Sequence, residues 1–218
     1  MKLISVNVSL PQNVAWKEKE VPTGIFKKPI NGPVMLRSLN LDGDQQGNLR
    51  VHGGPNKAVY GYPCEHYNFW KNELSRPDLS WGMFGENFTT KGLIENDVFI
   101  GDQFRIGSAL LMVTQPRTPC FKLGIKFEDQ GIIDRFWTSA RSGFYFSVLQ
   151  EGLVDSGDTI EKISENPDSL SITEVFALYR DPSPDPNTLQ RLLQLEDLPD
   201  KWKERMRKKM ASQEGHLS

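Results

Sequence analysis

A chain of 218 residues, 38% hydrophobic and 25% charged, has the make-up of a soluble globular protein: one ordinary domain, or one domain with a small appendage. Its net charge of -2 excludes a global attraction to nucleic acid or an anionic membrane. Two cysteines, Cys64 and Cys120, make no disulfide framework, and no stretch approaches the length of a membrane span. Met1–Leu10 reads as a strand rather than a cleavable signal, so a cytoplasmic location with reduced thiols is expected.

Lys2–Leu10 alternates apolar residues (Leu3, Ile4, Val6, Val8, Leu10) with Ser5, Asn7 and Ser9, the period of a half-buried strand. Pro11, Pro22, Pro29 and Pro33 then punctuate short extended pieces around Trp16, Val21, Ile25 and Phe26, leaving no room for useful helices. Val34–Leu41 reads as another strand, ending in the turn-rich segment Asp42–Asn48.

Next comes His52-Gly-Gly-Pro-Asn-Lys-Ala-Val-Tyr60. Gly53 and Gly54 permit positive φ and a close approach of backbone to a ligand. Lys57 sets a cation beside those amides, which suits a phosphate or other anion. It is not a Walker loop, because the terminal Lys-Ser/Thr is missing. A tight hairpin with a surface lysine is the competing reading, and His52 alone reads as well as a satisfied structural histidine. Glu65–Leu74 is the first convincing helix, its Tyr67, Trp70 and Leu74 recurring at helical spacing. Gly82–Thr90 is a loop in which Glu86 and Asn87 offer acceptors and donors, with an ordinary polar turn as the alternative. Asp97–Val113 holds strands broken at Gly101-Asp102 and Gly107-Ser108, a hairpin pattern.

That hairpin feeds Thr114-Gln-Pro-Arg-Thr-Pro-Cys120. A thiolate is both the nucleophilic and the metal-binding form of cysteine. A strand end followed by a turn is a usual place to present one from a rigid scaffold. Pro116 and Pro119 stiffen the backbone, and Arg117 brings a permanent positive charge close by. The alternative is a buried structural cysteine. Glu128–Ala140 then reads as a helix, Arg141-Ser-Gly-Phe144 opens a strand through Leu149, Val154–Asp158 is a turn, and Thr159–Ile163 is a final short strand. Many short strands with few helices over residues 1–165 indicate a mainly β fold, a barrel or sandwich with inserted helices.

From Ser171 the character changes. Ser171-Ile-Thr-Glu174 is a capping box that opens a helix to Tyr179. Asp181–Pro186 holds three prolines, Asn187 caps a second helix to Leu195, and Pro199 fits the first turn of a third, Asp200–Ala211. Six residues between Lys201 and Lys209 are Lys or Arg, which reads as a solvated face, with a nucleic-acid surface as the lesser alternative.

Four motifs occur in order: His52-Gly-Gly-Pro-Asn-Lys-Ala58, Gly85-Glu-Asn-Phe-Thr-Thr90, Ile100-Gly-Asp-Gln-Phe-Arg105 and Gln115-Pro-Arg-Thr-Pro-Cys120. Together they resemble the MOSC family, the domain at the C-terminus of molybdenum cofactor sulfurases. The tail resembles the three-helix extension of the YiiM-type subfamily. The resemblance implies a MOSC β-barrel over residues 1–165 and a three-helix extension over 170–218. It implies a molybdenum-molybdopterin cofactor, with Cys120 as the metal ligand and catalytic residue. It assigns His52, Gly53, Gly54, Lys57, Glu86, Asn87, Thr114, Gln115, Arg117 and Arg141 to cofactor binding, with Cys120, Lys57, Arg117 and Arg141 facing one cavity. It implies reduction of N-hydroxylated small molecules such as 6-hydroxylaminopurine. There is no room for a pyridoxal phosphate domain and no cysteine cluster for an iron–sulfur centre. Electrons are therefore expected from an external, flavin-containing reductase; a homodimer is left open, and neither nucleic acid nor membrane is an expected partner. The alternatives are a sulfur carrier using a Cys120 persulfide, and a non-catalytic binding module. No tail residue matches a ligand motif, so removing residues from Asp185 onward is expected to leave cofactor binding intact.

Overall fold

The structure, a computed structural model, describes residues 1–47, 53–166 and 168–214, the last three as backbone only. The alternation at the N-terminus folds as β1 (Lys2–Val8). Leu3 and Val6 enter the core, but Ser5 and Asn7 on its other face are buried too. They satisfy each other and their neighbours: Ser5 Oγ donates to Asn7 Oδ1 at 2.8 Å, and Asn7 Nδ2 to Thr89 Oγ1 at 3.2 Å.

The proline-punctuated stretch gives a free-standing hairpin, β2 (Gln12–Trp16) with β3 (Lys19–Thr23), then the short β4 (Lys28–Pro29) and β5 (Val34–Leu36). The expected strand Val34–Leu41 stops at Leu36. The chain turns back, Arg37 N donating to Asn40 O at 2.8 Å, so that Leu41 bridges Leu36. After β6 (Val59–Pro63) and α1 (Glu65–Glu73) come β7 (Phe88–Lys91), β8 (Gln103–Ile106) and β9 (Ala109–Pro116). Then α2 (Phe121–Phe127) and α3 (Ile132–Ser139) precede β10 (Phe144–Gln150), β11 (Gly152–Val154) and β12 (Ile160–Ser164). The single helix expected over Glu128–Ala140 is thus preceded by another. The first ends at Glu128, whose left-handed φ of 56° breaks the helix.

One eight-stranded sheet runs β12-β8-β9-β10-β6-β7-β1-β4, antiparallel except for the parallel pair β6–β7; β5–β11 and β2–β3 stand apart. The sheet curls far enough for β1, next to the β4 edge, to touch the chain at the start of β12. Lys2 bridges Thr159, with Leu3 N donating to Asp158 O at 2.9 Å and Ile160 N to Met1 O at 3.0 Å. The mainly β fold is as expected, but the barrel is not closed by a ladder: one isolated bridge joins β1 to the segment before β12.

Three helices follow: α4 (Ile172–Arg180), α5 (Pro186–Gln194) and α6 (Asp200–Glu214). The capping box forms as expected, with Ser171 Oγ accepting from Glu174 N and Glu174 Oε2 from Ser171 N. The cap of α5 is Asp185 rather than Asn187, because Pro186 already fits the first helical position and Asp185 Oδ2 accepts from Thr188 N at 2.8 Å.

Two cores result. The larger fills the curled sheet with Leu3, Phe88, Leu111 and Phe146, and runs on without a break into Val175, Leu189, Leu192, Trp202 and Met206 of the tail. The tail helices therefore complete the core of the sheet. The smaller is aromatic: Tyr62, Tyr67, Trp70, Phe84, Phe127 and Phe136 pack between β6 and the helices α1 to α3. Among the described residues no helix is long and apolar enough to cross a membrane.

Candidate anion-binding site around Cys120

β9 ends at Pro116, and the prolines beyond it carry the chain in extended form to Cys120, which stands at φ -137° and ψ 164° immediately before α2. Its thiol makes no hydrogen bond capping that helix. Instead Cys120 lines a cavity of about 330 Å³. One wall comes from Thr23–Ile25, Lys27 and Gln45–Gly47; the floor comes from Lys57, Tyr60, Gly85, Asn87 and Tyr145; Gln115–Thr118 and Lys122 flank the thiol. The remaining wall is α6, through Lys201, Trp202 and Arg205.

The charge of this lining is one-sided. Lys27, Lys57, Arg117, Lys122, Lys201 and Arg205 face the cavity, and among the described residues no Asp or Glu does. Lys27 is compensated from behind by an ion pair with buried Asp44, whose other oxygen accepts from Asn87 Nδ2 at 2.8 Å. Burial pulls the Lys57 ammonium below its ordinary range, and the charges of Arg205 and Lys201 push the same way, with Cys120 opposing. Burial also lowers Lys122, whose Nζ donates to Pro22 O at 2.8 Å. The phenols of Tyr60 and Tyr145 are pushed up by burial and stay neutral, Tyr60 donating to Ser142 O at 2.8 Å.

Arg117 is the centre of this arrangement. Only 5% exposed, it lies between the rings of Tyr60 and Phe136, 5.0 Å from each centroid. Its buried Nη1 has no hydrogen-bond partner. An unsatisfied donor on a buried cation is costly, and because Arg117 lines the cavity an anion there would compensate its charge. A phosphate-bearing cofactor therefore fits these residues, and Cys120 offers a single soft ligand for a metal carried within it. Among the described residues no group of three His, Cys, Asp or Glu could hold a metal by itself.

The structure sorts the residues assigned from the motifs. Cys120, Lys57, Arg117, Gln115 and Asn87 are brought together at the cavity. Glu86 is not at the lining. It is fully buried behind it, accepting from Gly82 N at 2.8 Å, Phe84 N at 3.0 Å and Thr89 Oγ1 at 3.0 Å, and so builds the loop that carries Gly85 and Asn87. Thr114 is likewise structural, its Oγ1 donating to Asn56 O at 2.8 Å and so tying β9 to the turn that carries Lys57. Arg141 faces elsewhere: its guanidinium stacks 3.6 Å above the Phe69 ring and Nη1 donates to Ser139 O at 3.2 Å. Gly53 and Gly54 do not line the cavity, although Gly54, at φ 96°, starts the 3-10 turn Pro55–Lys57. His52 lies outside the described residues.

Sequence reasoning missed Lys27, Lys122 and Tyr145, which belong to no motif that was read as a site, and Tyr60, which ends the His52–Tyr60 motif but was given no role. It also set the tail aside, whereas α6 forms a wall. The signal was present: Lys201 and Arg205 are one helical turn apart and flank the same side as the apolar Trp202.

Comparison with known proteins supplies the context. The model of the MOSC domain matches residues 48–161, and that of the YiiM-like, 3-alpha helix domain matches residues 170–213. An uncharacterized protein, YflK, of Bacillus subtilis (strain 168) is 40% identical over 207 residues, covering 95% of this chain and 93% of that one. Protein YiiM of Escherichia coli (strain K12) is 36% identical over 193 residues, covering 88% and 86%. A protein of Gibberella moniliformis named reductase is 34% identical over 179 residues, covering 81% of this chain but 32% of its own length. The crystal structure of YiiM from Geobacillus stearothermophilus superposes with a TM-score of 0.80 at 31% identity, covering 95% of this chain and 98% of that one.

Proposed function

We propose a function from one premise: the chain belongs to the MOSC domain family and carries a YiiM-like three-helix domain. It takes a pterin-based molybdenum cofactor into the cavity beside Cys120 and reduces N-hydroxylated small molecules there. The observation that carries this reading is a cavity lined by Cys120 and by cations with no carboxylate among the described residues, one of those cations being the buried Arg117, whose Nη1 has no hydrogen-bond partner. Arg117, Lys57 and Lys122 take the cofactor's phosphate, and the Cys120 thiolate is the metal's protein ligand. Gln115, which lines the cavity, would offer hydrogen bonds to the pterin, while Asn87 holds the wall in place through Tyr60 N, Asn7 O and Asp44. Tyr60, Tyr145 and Trp202 limit water in the cavity, which strengthens each of these charge interactions. When bound, the cofactor supplies the two-electron exchange, and the protein supplies orientation and electrostatics.

The name of the fungal relative supports a reductase, although this chain spans about a third of that protein. With two cysteines in all, this chain holds no four-cysteine iron–sulfur centre, so electrons come from a separate, flavin-containing reductase. The protein works in the cytoplasm, where its thiols stay reduced.

The test compares wild type with Cys120→Ser, both exposed to the cofactor and supplied with an artificial reductant. Wild type reduces 6-hydroxylaminopurine and Cys120→Ser does not, while both keep the same far-UV circular dichroism. Full activity in Cys120→Ser rejects the ligand role. A loaded but inactive wild type that accepts sulfur on Cys120 replaces the reductase with a sulfur carrier, a reading favoured by a thiol that no helix cap engages.

A further inference from the structure

Outside the cavity, one buried ionisable pair has no part in the chemistry above. His66 on α1 and Glu95, in the loop before β8, bring Nε2 and Oε2 to 2.7 Å, with side chains 11% and 4% exposed. The two atoms share one hydrogen bond. The other carboxylate oxygen, Glu95 Oε1, accepts from Gly143 N at 2.7 Å. Glu95 thus ties α1 to the backbone just before β10.

Gly143 immediately precedes β10, the strand that lies between β9 and β6. Its φ is +59°, and a Cβ there would come within 2.5 Å of Gly61 O and 2.8 Å of the rings of Tyr60 and Tyr62. The backbone is thus seated at the shortest distance that β6 allows. From this one turn two contacts run to the cavity. Ser142 O accepts from the Tyr60 hydroxyl at 2.8 Å, and Gly143 O accepts from Arg117 N at 3.3 Å. The first sets the ring on which the Arg117 guanidinium rests; the second sets the main chain from which that guanidinium extends.

We infer that Glu95, oriented by His66, is a positioning residue for Arg117: it locks the 142–143 segment and so holds the Arg117 guanidinium at the wall of the cavity, where its charge meets a bound anion. This rests on the cavity being an anion site, as proposed above. The pair acts from outside the cavity, since neither residue lines it. It does for the guanidinium what an outer ring of hydrogen bonds does for a metal ligand, removing freedom that would otherwise be lost on binding.

The experiment uses the full chain, with inorganic phosphate as the probe and two readouts. Calorimetry gives phosphate affinity, and the 1H–15N signal of the Arg117 Nε–H group reports its placement without ligand. Glu95→Ala shifts the Arg117 signal and weakens phosphate about tenfold, the scale of one charge-assisted hydrogen bond. Glu95→Gln, which keeps an acceptor for Gly143 N, recovers most of both. In an Arg117→Lys background Glu95→Ala costs nothing further, because its effect runs through the guanidinium. Should Glu95→Ala not fold, His66→Ala frees the same carboxylate and is read by the same signal. An unmoved Arg117 signal, or an equal loss of affinity in both backgrounds, overturns the inference. Failure of wild type to bind phosphate defeats the anion reading of the cavity, and the Arg117 signal then still decides the positioning role.

Discussion

Two cysteines in one chain meet different surroundings. Cys120 lines a cationic cavity, whereas Cys64 sits at the entrance of α1, its Sγ 3.5 Å from Glu65 Oε2. Burial, then the neighbouring carboxylate, pushes the Cys64 thiol up to about 11. Cys64 is therefore protonated and unreactive at pH 8, since the thiolate is the nucleophile. In a Cys120→Ser protein, where Cys64 is the sole thiol, iodoacetamide labelling stays slow at pH 8 and accelerates only as pH approaches about 11. Rapid labelling at pH 8 contradicts that account. At this scale the sequence made Cys120, Lys57, Arg117, Gln115 and Asn87 legible, because each sits in or beside a segment whose glycines or prolines mark it out, Gln115 at the end of β9. Glu86, Thr114 and Arg141 sit in or next to the same motifs and were assigned to the site with them. Motif membership does not say whether a side chain faces the cavity or the backbone behind it. Glu86 turns inward because loop amides need an acceptor, and Arg141 finds the Phe69 ring first.

Secondary structure was legible wherever its cause is local. The capping box at Ser171 satisfies helix donors from within four residues, and it formed as read. Ser171→Ala should lower stability by about 1 kcal/mol, measured by urea denaturation, and an unchanged midpoint argues against the cap. β6 was not legible, because all five of its residues are buried and alternation, the signal of a half-buried strand, is absent. α2 was hidden by its short length, and its lysines do work that composition does not reveal. Lys122 Nζ donates to Pro22 O, and Lys126 Nζ to Ile25 O and Gly82 O, stapling the Cys120 helix to the cavity wall at Thr23–Lys27. Burial lowers Lys126 from 10.5 to about 8. Below pH 8 both folded and unfolded states hold this proton, and the folded state bears the full cost of the buried charge. Between about 8 and 10.5 the unfolded state binds more protons, so the Lys126 contribution to stability rises with pH across that window. Stability measured from pH 7 to 10.5 should climb less in Lys126→Met than in wild type. Parallel curves contradict the assignment.

For the whole molecule, the main revision concerns the tail. Sequence reading treated residues from Ser171 onward as an appendage, because its composition changes there and no ligand motif follows. Yet Leu189, Leu192, Trp202 and Met206 join the core of the sheet, and Lys201 and Arg205 face the cavity. The apolar Leu192, Leu195 and Trp202 announce that the tail must cover a surface, but which surface is decided by packing between distant segments. Removing residues 185–218 should therefore expose core apolar surface, lower the thermal midpoint and abolish phosphate binding, whereas Lys201→Ala with Arg205→Ala keeps the fold and weakens phosphate. A stable truncated chain with full anion affinity would restore the appendage. The central claim is that this cavity holds a molybdenum–pterin cofactor through Cys120. The most direct measurement is the molybdenum and pterin content of the protein purified from cells that make the cofactor. The account predicts near-stoichiometric molybdenum and pterin in wild type and marked loss of both in Arg117→Ala. Absence of both from folded wild type, in cells that load a known molybdenum enzyme, would contradict it.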